Sequence, residues 1–463
     1  MSARSVGAGG ALVLFTRDLR VRDHPALAAA TREHGRVVAA FVLDRELLAG
    51  SCGSPNRLAF LIDCLEDLAG ALAARGAQLA VRRGDVVEEA MRLVAEHDLD
   101  AIHMSADVTP YARRRHDRLA RACARERVAL HAHPGITVVA PGALAPTGGE
   151  HYRVFTPYWR AWSAAPRAPL LRAPARIVEP AGLSAGSIPS AAALGRRAPS
   201  AGLQSGGESA ARAQLARWLR GGPERYEERH DALDEDGTSR LSAQLHFGCV
   251  SARTVLARVE GREHVEAFAR QLCWRDFHHQ VLAARPDLPR TDYRSRGDRW
   301  RRDPAATQAW REGRTGYPIV DAGMRQLAAE GFMHNRARLI VASFLTKTLY
   351  IDWRTGAAHF ASLLQDADVA NNVGNWQWVA GTGNDTRPNR VVNPIRQARR
   401  FDPRGDYVRR YVPELAGVSD GAVHEPWRLS AAPRAPRYPA PLVDHASAAR
   451  EFRERRGGHG SER

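Results

Sequence analysis

The sequence predicts an α/β domain built on a parallel sheet, then a long connector, then an all-helical domain. Three observations carry that prediction. The first third of the 463 residues alternates short apolar runs with amphipathic segments. A stretch dominated by Ala, Pro, Arg, Ser and Gly follows, from about Trp162 to Gly207. Beyond Glu208 the apolar residues recur at helical spacing. Alternating strands and helices imply parallel pairing with both faces covered, whereas an unbroken helical period implies helix on helix. The expected boundaries are 10–140, 141–207 and 208–450.

The strands are read in order as ALVLFT from Ala11, VVAAFVLD from Val37, QLAV from Gln78 and AIHMS from Ala101. ALHAHP from Ala129 is a candidate fifth. Each is short, apolar and rich in β-branched or small residues. Between the second and third runs, Leu58, Leu61, Ile62, Leu65, Leu68 and Leu72 repeat every three to four residues and predict a helix. The topology is Rossmann-like, yet the turn after the first strand reads TRDLRVRD, without the glycines that close a backbone around pyrophosphate. The GAGG sequence precedes that strand, on the wrong side of it. Topology alone therefore names no ligand.

The connector, with RAPLLRAPARIVEPAGLSAGSIPS, reads as weakly structured. In the helical part, Val265, Phe268, Leu272 and Val281 mark one helix face. Pro318 suits the first turn of IVDAGMRQLAAE and Gly331 its end. MHNRARLIVASFLTKTLY continues in helical register, and a Pro-rich, charged tail follows Trp427.

Composition narrows the function. Lys and Arg total 67 against 51 Asp and Glu, a formal charge of +16. That favours an anionic partner, nucleic acid first, because neutralising phosphates releases counterions; a merely solvated basic face is the alternative. The five cysteines (Cys52, Cys64, Cys123, Cys249 and Cys273) form no CxxC pair, which argues for reduced, buried thiols over disulfides or zinc. No apolar run approaches a membrane span and no signal peptide is visible, so a cytoplasmic location is expected.

The unusual residues gather between Tyr226 and Gln397. Six of the ten tryptophans lie there: Trp274, Trp300, Trp310, Trp353, Trp376 and Trp378. A single Trp most often fills a core. The company of WRDFHH, MHNR and DADVANNVGNWQW instead suits a planar, charged ligand or an extruded base. Asp366 and Asp368 could also be read as a metal site or a glycosidase acid pair, but no His or third ligand stands at suitable spacing.

Taken in order, TRDLRVRDHPAL, GTSRLS, WRDF, TGYPIVDAGMRQL, MHNRARLIVASFLTK, IDW, GNWQW and NPIRQARRFDP resemble the photolyase and cryptochrome family over nearly the whole chain. The resemblance implies a C-terminal all-helical FAD-binding domain. Tyr226, Thr238, Ser239, Arg240, Leu241 and Ser242 match its phosphate and ribose contacts, and hydroxyls with backbone N–H groups at a helix start suit a pyrophosphate. By itself GTSRLS is an ordinary capped helix start. Phe268 and Arg275 would add a wall and a second cation. Asp366, Ala367 and Asp368 match the segment at the flavin ring, and Asn372 the residue beside its N5 atom, where plant cryptochromes carry Asp and animal ones Cys. An amide there bonds a reduced flavin without adding charge. Trp376, Trp353 and Trp300 match the family's electron-transfer chain.

For substrate, the resemblance implies damaged DNA. Trp274 and Trp378 would wall a flipped-out pyrimidine dimer, and Gln271, Asn335 and Arg336 would bond it. Gln397 and His230 would lie nearer the strand. His278 and His279 are read as exposed histidines on a basic helix, phosphate contacts at most. Photolyases are themselves among the enzymes that extrude a base, so the flipping step comes with the family. Gln271 stands where cyclobutane-dimer photolyases usually carry Glu. Photolyases for the (6-4) photoproduct also have Gln there, with histidines at the positions of Asn335 and Leu339. Neither His is present, so a cyclobutane dimer is the expected lesion. The run DVTPYARRRHD, Asp107 to Asp117, resembles the branch whose antenna is 8-hydroxy-5-deazaflavin, with Arg17, Asp107 and His246 as its residues. Methenyltetrahydrofolate or no antenna are the alternatives, and His246 departs from the Lys of some deazaflavin binders. Two rival readings are a light receptor without repair activity and a flavin-free nucleic-acid or nucleotide binder. A monomer with no resident metal is expected.

Overall fold

Five parallel strands form one sheet in the order β3-β2-β1-β4-β5: β1 Gly7–Phe15, β2 His34–Asp44, β3 Leu79–Gly84, β4 Ala101–Ser105 and β5 Ala129–His133. This is a computed structural model, and it describes residues 7–50, 53–194, 198–235, 237–429 and 438–457. Cys52 lies outside the described residues; the other four cysteines are buried free thiols. β1 and β2 are buried along continuous runs, Ala11–Phe15 and Val37–Asp44, as strands covered on both faces require. β5 is an edge strand, and its residues are correspondingly half-buried or exposed.

Capped helices return the chain between strands. α1 (Pro25–Glu33) starts with Pro25 in its first turn and with His24 accepting the Leu27 N–H at 3.0 Å. α2 (Pro55–Ala73) buries Leu58, Leu65, Leu68 and Leu72, while Leu61 and Ile62 remain half-buried, so its apolar stripe is narrower than the periodicity predicts. α3 (Val86–His97) is capped by Asp85, which accepts from the Val87 and Glu88 N–H groups. Together with α4 (Pro110–Glu126) it closes one face of the sheet over Leu12, Leu14, Val38 and Ile102, using Leu93 and Leu119.

The connector is irregular as expected but not loose. After α5 (Phe155–Ala164) the chain runs back along the sheet. The Val37 N–H donates to the Val178 carbonyl at 2.8 Å and the Val81 N–H to Ala185 at 2.6 Å. The second contact lies on edge strand β3, where open N–H groups would otherwise invite another strand.

Two compact units divide the chain. The first comprises Met1–Pro199, Gln204–Glu224 and Ser239–Asp287, the second Ser200–Leu203, Arg225–Thr238 and Leu288–Arg463. Compactness therefore groups the chain differently from the boundaries read from sequence. α6 (Glu208–Trp218) and α7 (Glu266–Ala284) belong with the sheet unit. The reason is packing: Phe277 of α7 lies 5.6 Å from Tyr158 of α5, and Asp276 accepts from the Trp162 indole and from the Val138 and Val139 N–H groups, each at 2.9 Å.

The second unit is helical. α8 (Pro318–Glu330) has Pro318 in its first turn and ends at Gly331 with φ +58°, as the sequence predicts. α9 (Asn335–Ser343) continues into a π-helical turn, Phe344–Thr348. α10 (Trp353–Leu363) and α11 (Val369–Ala380) pack against each other, and α12 (Pro394–Phe401) follows. The charged tail carries a further helix, His445–Gly457, anchored by buried Phe452 and by two 2.7 Å bonds from Arg456 to Asp298. Among the described residues, no helix is long and apolar enough to cross a membrane.

Candidate cofactor and substrate site

In the second unit the segment Asp366–Asp368 is a tight entry to α11. Ala367 is held at φ +27°, a conformation that a residue with a side chain rarely adopts. Its neighbours fix it. Asp366 meets Arg338 at 3.3 Å, and Asp368 caps α11 by accepting from the Asn371 backbone at 3.0 Å and the Asn371 amide at 2.9 Å. One turn on, the Asn372 side-chain amide donates to the Ala357 carbonyl of α10 at 3.0 Å. That bond uses the donor end of the amide and orients the other end, an acceptor.

Of the three tryptophans of the expected electron-transfer chain, two are enclosed and one is not. Trp376 on α11 is 3 % exposed, Trp353 at the start of α10 is 0 %, and Trp300 is half-buried. Trp376 is wedged between Phe360, with ring centroids 5.0 Å apart, and Trp310 at 6.1 Å. The Trp353 indole donates to Asp292 at 2.9 Å beneath the Arg354 guanidinium, 4.6 Å from its ring. Trp300 lies 5.0 Å from Tyr350. Each ring thus has aromatic or cationic company of its own.

On the expected substrate side, Asn335 is exposed at the start of α9, and Trp378 and Gln397 are half-buried. Arg336 forms a bidentate pair with Asp231 while its guanidinium lies 4.3 Å from the Phe401 ring. The His230 ring stacks on Tyr226 at 5.0 Å, with Nδ1 2.8 Å from the Tyr226 carbonyl. Burial, with Asp231 nearby, pushes the Tyr226 phenol up. Thr238 closes this unit's share of GTSRLS.

The rest of that motif lies in the first unit. The Ser239 carbonyl accepts from the Gln214 amide at 2.8 Å, Arg240 sits at φ +50°, and Leu241 is buried just before the one-turn helix Ser242–His246. Phe268 is buried 5.4 Å from the Trp218 ring. Arg275 is buried, donating to the Ile136 carbonyl at 2.7 Å and to Leu245 at 3.3 Å, so part of its fork holds backbone together. Gln271 is exposed, and Trp274 is stacked face to face on Phe155 with centroids 3.7 Å apart.

One expectation is corrected. His278 and His279 are 4 % and 1 % exposed, not surface residues. α7 is surrounded on nearly all sides, and an alternation of polar and apolar residues that reads as an open face is here a polar core. His279 Nδ1 lies 2.9 Å from the Arg275 carbonyl, one turn back.

The expected antenna residues do come together. Arg17 follows β1 and Asp107 follows β4, the two strands at which the sheet order reverses, and ligands of open α/β sheets bind outside that crevice. Arg17 Nη1 meets Asp107 at 3.3 Å, Nε donates to the His246 carbonyl at 3.1 Å, and Nη2 lies 3.2 Å from His246 Nδ1. Burial alone would raise the Asp107 carboxyl, but the Arg17 charge, helped by His279 and the Thr109 N–H, holds it below the usual carboxylate range. Gly248 permits the approach. At φ +69°, a Cβ there would lie 2.2 Å from the Arg17 carbonyl oxygen.

Sequence reasoning missed several supports of these residues. Asp231 and Arg338 pair with expected site residues across more than twenty positions, a distance at which spacing carries no signal. Lys347 is buried, donates to the Pro388 and Arg390 carbonyls at 2.9 and 2.8 Å, and is drawn down by burial to about 7. The pairing of Asp18 with His24, at 3.1 Å and fully enclosed, was hidden in TRDLRVRDH.

Known proteins resemble this chain over nearly its whole length. Residues 11–176 match the DNA photolyase family model, and residues 268–457 match the FAD binding domain of DNA photolyase. The deoxyribodipyrimidine photo-lyase of Streptomyces griseus is 52% identical over 452 residues, covering 96% of this chain and 99% of that protein. The crystal structure of a class III photolyase from Agrobacterium tumefaciens superimposes with a TM-score of 0.91 at 31% identity, covering 99% of each chain. An archaeal photolyase from Sulfolobus tokodaii, solved with two FAD molecules, gives 0.86 at 29% identity over 97% of this chain and 100% of that one. With both family models matched and a near full-length relative at this identity, the chain belongs to the DNA photolyase family and carries its FAD-binding domain.

Proposed function

We propose that this chain is a deoxyribodipyrimidine photolyase, which uses light and FAD to split cyclobutane pyrimidine dimers in DNA. The observation that carries the reading is Asn372: its amide nitrogen is bound to the Ala357 carbonyl, next to the Asp368 cap and one turn before Trp376. An oxygen fixed in that way can accept the N–H that a reduced flavin carries at N5 and places no charge beside it. In the second unit Tyr226, Thr238, Asp366, Ala367, Asp368 and Asn372 would contact FAD. In the first, Ser239, Arg240, Leu241, Ser242, Phe268 and Arg275 would do so.

When bound, FAD supplies light absorption and one-electron donation, and the substrate ends with two carbon–carbon bonds broken and no net redox change. The chain's own residues bind and orient. Arg396 and Arg400, exposed on α12 beside Gln397, attract the phosphate backbone. Asn335, Arg336, Gln271, Trp274 and Trp378 receive the extruded dimer, whose removal from the stack costs a few kcal/mol, roughly, as for other extruded bases. Gln271 can donate and accept a hydrogen bond but holds no carboxylic proton, so it positions the dimer and does not protonate it. Trp376, Trp353 and Trp300 would return the flavin to its reduced form.

Arg17, Asp107 and His246 would hold the antenna, 8-hydroxy-5-deazaflavin in this reading. Methenyltetrahydrofolate, a second flavin or no antenna are the other outcomes of a pigment extraction. The enzyme would act in the cytoplasm as a monomer, with residues 10–140 supplying the antenna site apart from His246, 141–207 linking and 208–450 repairing.

Illumination of the reduced, FAD-loaded protein with defined oligonucleotides tests the proposal. Cyclobutane dimers are expected to disappear while (6-4) photoproducts persist. Unchanged dimers despite reduced, bound FAD would favour a light receptor, and a colourless preparation would remove the flavin reading altogether.

A further inference from the structure

Apart from the residues assigned so far, five metal-ligand side chains meet on four elements of the sheet unit. The period of a strand puts His131 and His133 on one face of β5, and the parallel register sets His131 opposite His103 of β4. α1 ends over the same place with Glu33 as its last residue and His34 as its cap. His34 Nε2 lies 3.3 Å from His103 Nε2, and a Glu33 carboxylate oxygen lies within 4.8 Å of both ligand atoms. His103 Nδ1 lies 3.0 Å from His133 Nε2, and the His131 ring centroid 4.7 Å from that of His103.

We propose that Glu33, His34 and His103 form a binding site for a divalent transition-metal ion of the zinc type. The geometry is that of a ligand set. Two imidazole nitrogens on a tetrahedral ion, with bonds of about 2.0–2.1 Å, stand about 3.3–3.4 Å apart, the separation seen between His34 and His103. His133 occupies the place of an outer partner, taking the other ring nitrogen of His103 and so fixing its tautomer and orientation. The C-terminal end of α1 adds a favourable dipole for a cation. Imidazole with one carboxylate suits zinc and its neighbours better than calcium or magnesium. Three protein ligands leave a fourth position for water.

A row of neutral imidazoles bonded to one another, His133 to His103 to His34, would account for the two nitrogen contacts without an ion. It gives no role to Glu33, whose visible partner is the exposed neighbour Arg32 at 2.6 Å. An exposed pair of that kind is worth little and yields readily to a metal.

Tag-free, FAD-loaded protein, stripped with chelator, can be titrated with Zn²⁺ by calorimetry and with Co²⁺ by visible absorption. One equivalent is expected to bind, with the intense ligand-field bands of tetrahedral Co²⁺. His103 is fully buried, so its variants risk misfolding, and the test rests on exposed Glu33 and half-buried His34. Glu33→Gln and His34→Gln should each weaken Zn²⁺ binding at least about tenfold, and His133→Gln to a similar or smaller degree. His97→Gln on α3 should leave it unchanged. Zinc should raise the melting temperature of the wild type but not of the E33Q/H34Q double variant. Absence of stoichiometric binding, or binding undiminished in the double variant, would overturn the proposal.

Discussion

Replacing Gly356 by Ala should damage Trp376 without touching it chemically. Gly356 lies on α10 directly against that indole: an added Cβ would stand 2.1 Å from Cη2, 2.4 Å from Cζ3 and 2.7 Å from Leu345 Cδ2. Ordinary contact begins near 3.4 Å, so the ring must retreat by more than an ångström. Phe360 and Trp310 occupy the space on its other sides. Overpacking of this kind costs about 1–3 kcal/mol, against a gain of roughly 0.8–1 kcal/mol from Ala in a helix interior. With an unfolding entropy of about 1 kcal/mol per kelvin for 463 residues melting together, a net loss of up to about 2 kcal/mol lowers the melting temperature by up to roughly 2 °C. The informative assay pairs that melt with the rate of flavin photoreduction under blue light in the presence of an external thiol. If Trp376 passes electrons to the flavin, its displaced ring should slow photoreduction severalfold. A G356A protein that melts at the wild-type temperature and photoreduces at the wild-type rate would refute both the packing argument and the role given to the ring.

The same role predicts that Trp376→Phe abolishes most photoreduction yet leaves dimer splitting intact when the flavin is reduced chemically; both are read by absorption and by dimer loss. Asp107→Asn should leave the Arg17 guanidinium without its countercharge, at a cost of about 1–3 kcal/mol discounted for its partial exposure. It should also release the antenna, seen as loss of the second chromophore's band with FAD retained. Acid should destabilise the sheet unit through Asp18. Burial opposes its ionisation, but the charge and hydrogen bond of His24 prevail and lower its carboxyl from 3.8 to about 2. The folded value lies below the unfolded one, so this stability is complete above about pH 5 and is lost as pH falls through 4 towards 2. It amounts to about 2 kcal/mol. Denaturant melts at pH 7 and pH 3 should show about half of that loss, roughly 1 kcal/mol, in the wild type and a flatter acid limb in Asp18→Asn.

Local chemistry made the sheet legible. Ala11–Phe15 and Val37–Leu43 are apolar runs too short for helices, and the structure buries them as strands covered on both sides. Pro318 and Gly331 announced the ends of α8 through backbone preferences that need no tertiary context. What depends on distant partners was not legible. α7 carries Arg, Asp, Gln and two His among its apolar residues, and sequence assigns such residues to a surface; packing against α5 buries them. Arg17 and His246 are 229 positions apart, and only the family resemblance, not spacing, joined them before the structure did. The histidines of β4 and β5 went unremarked, because alternate His residues in two short strands form a cluster only once the register is known.

The two units exchange the chain repeatedly, at residues 199–204, 224–225, 238–239 and 287–288. During synthesis the sheet unit stays incomplete until Asp287 has left the ribosome, although its last strand ends at His133. Half-built sheets with uncovered apolar faces are prone to aggregate. Truncations placed after the last strand should therefore be poorly soluble, while those that retain α7 should survive.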